Sequence, residues 1–259
     1  MTKNVVIFLF ISFIISCGEI KEEKEVETPI QAALTLVEKI EKEHQKEAFL
    51  KHDNIQFDLA LYFGGKQRIN GQLTLATNSS QGLIALESGE KVYFIKDKVF
   101  YSPGMNEKRV RFDAYTWSYF FLFPYKMSDQ GTIWSGSEKR TMDEVVYNYQ
   151  KLSFEDGTGD DPNDWYKVYS DTNTNRISAA AYIVTASSSV EKAEEDPHAI
   201  AYSNYKEIEG IPIAAEWKFF GWTEKEGLTD TLGNAALSNF KFVENSDSLF
   251  TPPTNFLSL

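Results

Sequence analysis

The chain has 259 residues and a formal charge of −12, from 38 acidic against 26 basic side chains. So acidic a protein is repelled by nucleic-acid backbones and anionic lipid headgroups, which excludes partners held through a basic surface. Aromatic residues reach 14%, led by 19 Phe and 13 Tyr, which favours strands around an apolar interior, and a single cysteine excludes a disulfide within the chain.

Met1, Thr2 and Lys3 precede an apolar run, Val5 to Ile15, broken only by Ser12. A helix of about a dozen residues covers roughly 17 Å, short of the ~30 Å hydrocarbon core, but it fits the apolar region of a secretion signal. The run ends in Ile14-Ile15-Ser16-Cys17. This resembles a lipobox, with an aliphatic residue three places before the cysteine and a small one directly before it. Residues 1–16 are therefore expected to be a signal peptide, and Cys17 the lipidated first residue of the mature chain, holding it to a membrane through acyl chains. Residues 17–29 are charged and lack aromatics, the composition of a flexible tether. Within it Lys21-Glu22-Glu23 resembles the acidic export signal of Bacteroidetes surface lipoproteins, although a plain solvated linker reads the same. The expected location is the cell envelope, the outer membrane ahead of the inner, on either face.

The folded part is expected over 30–259 as a single β-rich domain. It opens with a helix over Ile30 to Lys51, apolar at Ala33, Leu36, Val37, Ile40, Ala48 and Phe49, with Thr28 as its cap and Pro29 in its first turn. The period then changes to two. Ile55, Phe57, Leu59 and Leu61 form one strand, Ile69 to Thr77 the next after Gly64-Gly65, and three shorter strands follow near 83–86, 92–95 and 99–101.

Residues 113–125 break this rhythm with Asp-Ala-Tyr-Thr-Trp-Ser-Tyr-Phe-Phe-Leu-Phe-Pro-Tyr. Asp113 is a suitable helix cap and Pro124 a terminator. A helix apolar on every side is either buried core or the cover of something apolar, and we read it as a lid or plug. Strands are expected again at 133–134, 145–154, 165–169, 177–185, 199–205, 213–222 and 236–243. In Val145–Phe154 the apolar parity slips between Tyr149 and Leu152, which predicts a β-bulge there. Trp217 and Phe219 alternate with Phe220 and Trp222, so both faces of that strand are apolar. The fold class is thus mainly β (α+β): a curled antiparallel sheet or incomplete barrel of roughly ten to twelve strands, with an N-terminal helix and a helical lid.

This order resembles the half-barrel of the lipoprotein-carrier and receptor family, LolA/LolB-like, which is also used by mycobacterial lipid-binding lipoproteins. More narrowly, the texts from Phe154 to Asp171, Tyr182 to Thr185 and Tyr202 to Pro212 resemble a family of Bacteroidetes lipoproteins that has no assigned activity. The first resemblance implies an apolar ligand, such as a lipid, held in the concave face of the sheet by a monomer. Tyr115, Trp117, Phe120, Phe121, Trp217 and Phe219 are the candidate ligand-binding residues.

No catalytic set stands out, and we expect no enzyme. No Ser sits in a G-x-S-x-G elbow, and His44, His52 and His198 lack zinc spacing. Asp171, Asn173 and Asn175 have calcium-loop spacing, but Arg176 stands where such a loop needs Gly, so a hairpin turn is the better reading. Asp160, Asp161 and Asp164 are the one place for a surface Ca2+; no other cofactor is expected. The alternatives are a surface glycan- or protein-binding module, with Trp134, Trp165, Trp217 or Trp222 as a stacking platform, and a hydrolase on the same scaffold.

Overall fold

The computed structural model describes residues 33–186 and 188–259; the expected signal peptide, Cys17 and the tether lie outside them. Alternation in the sequence becomes a long antiparallel meander. Strands β1 (Asn54–Phe63), β2 (Lys66–Ala76), β3 (Gln81–Leu86), β4 (Lys91–Ile95) and β5 (Lys98–Tyr101) pair in succession. A second run follows: β6 (Thr132–Met142), β7 (Val145–Phe154), β8 (Tyr166–Asp171), β9 (Ile177–Tyr182), β10 (His198–Ile208), β11 (Ile211–Thr223) and β12 (Gly227–Val243). Pairing of β1 with β12 joins the two runs, and the two-residue β13 (Leu257–Ser258) adds to β5, giving one open sheet of 13 strands. The C-terminal segment thus ends in a strand.

Between β5 and β6 the chain forms helix α3 (Glu107–Leu122) and a 3-10 turn, Phe123–Tyr125. Tyr115 of α3 lies 5.4 Å from Phe94 on β4, Phe121 stacks 4.1 Å from Phe57 on β1, and Tyr119 lies 5.5 Å from Tyr166 on β8. In a flat sheet β4 and β8 would be about 38 Å apart, at roughly 4.8 Å per strand, whereas a helix with its side chains is only ~10–12 Å wide. The sheet must therefore curl around α3, and the main core fills the concavity: Ile55, Phe57, Leu59 and Leu61 from β1 meet Trp117, Phe120 and Phe121 from α3 and Trp217 and Phe219 from β11.

The expected N-terminal helix is shorter and broken. It starts at Thr35, whose hydroxyl accepts from the Glu38 N–H while the Glu38 carboxylate accepts from the Thr35 N–H, a reciprocal cap. Helix α1 (Leu36–Glu43) stops at His44, Gln45 takes a left-handed φ of 55°, and α2 (Lys46–Phe49) follows. Helix α3 begins with Asn106 as its cap, almost two turns before Asp113. Asp113 instead sits inside the helix and accepts a hydrogen bond from Trp117 Nε1 at 3.0 Å.

The bulge expected in β7 belongs to its partner. Register slips between Ser135 and Glu138 of β6, where Gly136 has φ 65°, while β7 pairs with β8 without a shift. The parity change in β7 has another cause: Leu152 packs in the main core and Tyr149 in a second cluster on the outer face. There Trp165, Tyr169 and Trp222 lie over Ala179, Ala181 and Ala199, whose small side chains leave room for the rings. Glu224 pairs with both Arg140 and Lys167 across this cluster, and the Lys167 ammonium sits 4.6 Å from the Trp222 ring. Trp222 is thus the apolar residue of the outer face that the sequence pattern called for. A one-turn helix, α4 (Val190–Ala193), packs Ala193 into the same cluster.

His44 is completely buried and its Nε2 accepts the Ile177 N–H at 3.1 Å. Burial, with the Arg176 guanidinium adding, pushes its imidazole down to about 3 from 6.5. The unfolded chain therefore takes up this proton first as pH falls, so the contribution is complete above pH 6.5 and is lost below it, by about 1.4 kcal/mol per pH unit. Asp164 opposes this: burial raises its carboxyl to about 6, so between pH 6 and 4 the folded form binds that proton more readily. The Asp164→Asn variant should show a steeper loss of urea midpoint between pH 6 and 4 than the wild type. Parallel midpoints across that range would refute the opposition.

Candidate ligand-binding site

Two stripes of α3 have different work. Val110, Ala114, Trp117 and Phe121, spaced by three or four residues, face the sheet and are buried. Arg111, Tyr115, Ser118, Tyr119 and Leu122 form the adjoining stripe, and they line a cavity of about 520 Å3. Its remaining walls are Phe94 on β4, Phe154 on β7, Tyr166 on β8, Tyr182 on β9 and Val184 beyond it. That volume lies within the range of roughly 300–1,000 Å3 found for small-molecule sites. A second void, about 10 Å3, lies beside Phe121 and Trp217 and is no larger than a water.

The rim is polar and stitched. Arg111 Nε donates to Asp160 Oδ2 at 3.0 Å and Nη1 donates to the Asp97 carbonyl at 2.8 Å, tying the start of α3 to the β4–β5 turn and the β7–β8 loop. The Tyr115 hydroxyl donates to the Lys96 carbonyl at 2.8 Å. On the other side Lys126 donates to Ser79 Oγ at 2.8 Å and pairs with Asp129 at 2.5 Å. Asp164 accepts both the N–H and the hydroxyl of Thr185 at 2.8 Å; burial nonetheless raises its carboxyl, and the Asp161 charge adds to this. Burial also raises the Tyr119, Tyr166 and Tyr182 hydroxyls, so all three stay protonated at neutral pH.

Of the residues singled out from sequence, Tyr115 and Phe120 line the cavity. Trp117, Phe121, Trp217 and Phe219 do not: they are buried in the main core, Trp217 and Phe219 almost fully. Tyr119 was within reach of the sequence, one helical turn after Tyr115. Tyr166 and Tyr182 were not, because they meet only through the β8–β9 register, in which they are direct partners with rings 6.0 Å apart.

The stacking platform has no exposed tryptophan to use. Trp117, Trp165, Trp217 and Trp222 are buried, and the half-buried Trp134 donates to the Met127 carbonyl at 2.7 Å. Asp160 is held by Arg111 and Asp164 by Thr185, and among the described residues no three acidic, histidine or cysteine side chains converge as metal ligands. Asp171 makes the turn expected of it, accepting from the N–H groups of Asn173 and Thr174, with Asn175 left-handed at φ 66°. His52 stacks on Phe242, and His198 lies edge-on to Phe63 and Tyr182, 3.6 Å from Asp196. Among the described residues no helix is long and apolar enough to cross a membrane.

Neither a protein-family model nor a curated protein matches the sequence. Solved structures do match the fold. A LolA superfamily protein from Nitrosomonas europaea aligns over 85% of this chain and 99% of its own, with a TM-score of 0.57 at 12% identity. A DUF1329 family protein from Desulfovibrio piger aligns over 84% and 98%, with a TM-score of 0.53 at 12% identity. An outer membrane lipoprotein-sorting protein domain from Vibrio parahaemolyticus aligns over 83% and 96%, with a TM-score of 0.50 at 9% identity. The chain has a LolA-like fold, an open antiparallel half-barrel curled around a helix.

Proposed function

We propose that this is a non-enzymatic lipoprotein of the cell envelope, anchored through acyl chains on Cys17, that holds a lipid or similar apolar ligand under α3. The cavity of about 520 Å3 between α3 and the curled sheet, with Phe94, Phe112, Phe120, Phe154, Tyr166 and Tyr182 among its lining and polar side chains at its rim, carries this reading. The LolA-like fold supports it, since solved proteins of this shape include a lipoprotein-sorting domain. The sequence around Cys17 supports the anchor, and the outer membrane is the favoured site. A monomer suffices, because the cavity is lined within one chain.

Native mass spectrometry of the soluble domain, freshly purified and after delipidation, tests the reading directly, and uptake of the neutral dye Nile red measures the cavity. The Val184→Trp variant should obstruct part of the space and lower dye affinity by about tenfold, while the partly exposed position keeps the stability loss within roughly 1–3 kcal/mol. No co-purifying lipid, together with dye binding unaltered by Val184→Trp, would refute the cavity as a binding site.

A further inference from the structure

The charges and rings of the cavity bear on which head group it would suit. The lining carries five carboxylates, Asp97, Asp129, Asp160, Asp161 and Asp164, against the three cations Lys96, Arg111 and Lys126. Arg111 is taken by Asp160 and Lys126 by Asp129. Asp161 and Asp164 form no ion pair among the described residues, although both are partly withdrawn from water. Withdrawing carboxylates from water is costly, and the rise of both carboxyls registers that cost: burial comes first at each, the Asp160 charge adds at Asp161 while Arg111 offsets part of it, and the Asp161 charge adds at Asp164.

Beside Asp164 stands a group of aromatic faces. Tyr119 and Tyr166 lie 5.5 Å apart, Tyr166 and Tyr182 6.0 Å, and Phe154 meets Tyr166 edge-on at 6.1 Å. The Asp164 charge is close enough to raise the hydroxyls of all three tyrosines. Ser118, only 3% exposed, lines the same cavity, and its Oγ has no hydrogen-bond partner among the described residues. A carboxylate beside several π-faces is the chemistry that recognises an ammonium ion. A carboxylate or phosphate head would instead face Asp161 and Asp164 in a chain that is already strongly acidic.

We propose that the cavity takes an amphiphile with an ammonium head group, seated against Asp164 and the rings of Tyr119, Tyr166 and Tyr182, with its chain among Phe94, Phe112 and Phe120. This rests on the reading of the cavity as an apolar-ligand site and adds the class of head group. The test compares three probes of equal chain length, each below its micelle concentration, by isothermal titration calorimetry near neutral pH: dodecyltrimethylammonium, dodecanoate and monododecanoylglycerol. The ammonium probe should bind roughly tenfold tighter than the neutral one, and dodecanoate weakest. The Asp161→Asn/Asp164→Asn double variant, which keeps an acceptor for Thr185, should erase that order. Tyr119→Leu should weaken the ammonium probe alone, and Tyr119→Phe should restore it; this pair serves if the double variant does not fold. Dodecanoate binding as tightly as the ammonium probe overturns the proposal, as does an ammonium preference unchanged in the variants, which would belong to the charge of the whole molecule. Equal binding of all three overturns the head-group assignment and leaves the apolar cavity standing. No binding of any probe removes both.

Discussion

Trp117→Ala is expected to destabilise the fold by about 3–5 kcal/mol, as for a large side chain removed from a packed core. Trp117 is 4% exposed and its ring is enclosed by Phe63, Phe112, Phe120 and Phe219 at centroid distances from 5.8 to 6.4 Å. Its Nε1 also donates to Asp113, one turn earlier on α3, so truncation removes a hydrogen bond that holds the helix as well as filling the core. Tyr115→Ala is the internal contrast: Tyr115 stands on the cavity stripe and is half-buried, so its removal should cost less stability and more ligand affinity. Equilibrium urea unfolding of the two variants distinguishes them. A loss below about 1 kcal/mol for Trp117→Ala would show that α3 is not anchored where the structure places it.

Cys17→Ser is expected to abolish acylation outright. In cells fed an alkynyl fatty acid, the wild-type chain should label and sediment with membranes, whereas the variant should do neither. Each buried methylene contributes about 0.8 kcal/mol, so two or three chains hold a protein stably where one does so only marginally. The folded unit, Leu34–Leu259, begins well after Cys17, so the variant's unfolding midpoint should match that of the wild type. Persistent labelling of the variant would place the modification elsewhere and remove the basis for reading 17–29 as a tether.

The parts of the fold legible in the sequence are those where one face is buried and the other is wet. In β1 the buried residues Ile55, Phe57, Leu59 and Leu61 fall at every second position, and period alone identifies the strand. The long edge strand β6 was reduced to Ile133–Trp134 because most of its residues are exposed and carry no apolar rhythm. In β7 the rhythm changed because Tyr149 and Leu152 serve different cores, a cause that lies in tertiary packing and is invisible from spacing. The aromatic helix is legible, although it ends at Leu122 and Pro124 sits inside the 3-10 turn that follows, and a helix apolar all round does not reveal which stripe meets the sheet. Trp117 and Phe121 were thus grouped with Tyr115 and Phe120, and only the curled sheet separates them. Trp217 and Phe219 were grouped for the same reason, since the face of β11 that they share is the core face.

An open sheet leaves backbone donors and acceptors at both ends, and at high concentration such ends invite copies of the chain to polymerise strand upon strand. Here one end is β13, two residues long, and the other is β6, whose register is broken at Gly136 and whose next residues include Glu138, Lys139 and Arg140. A neighbouring copy that tried to extend the ladder along β6 would lose pairing at the kink and meet charged side chains immediately after it. The half-barrel can stay open without becoming a template for its own aggregation.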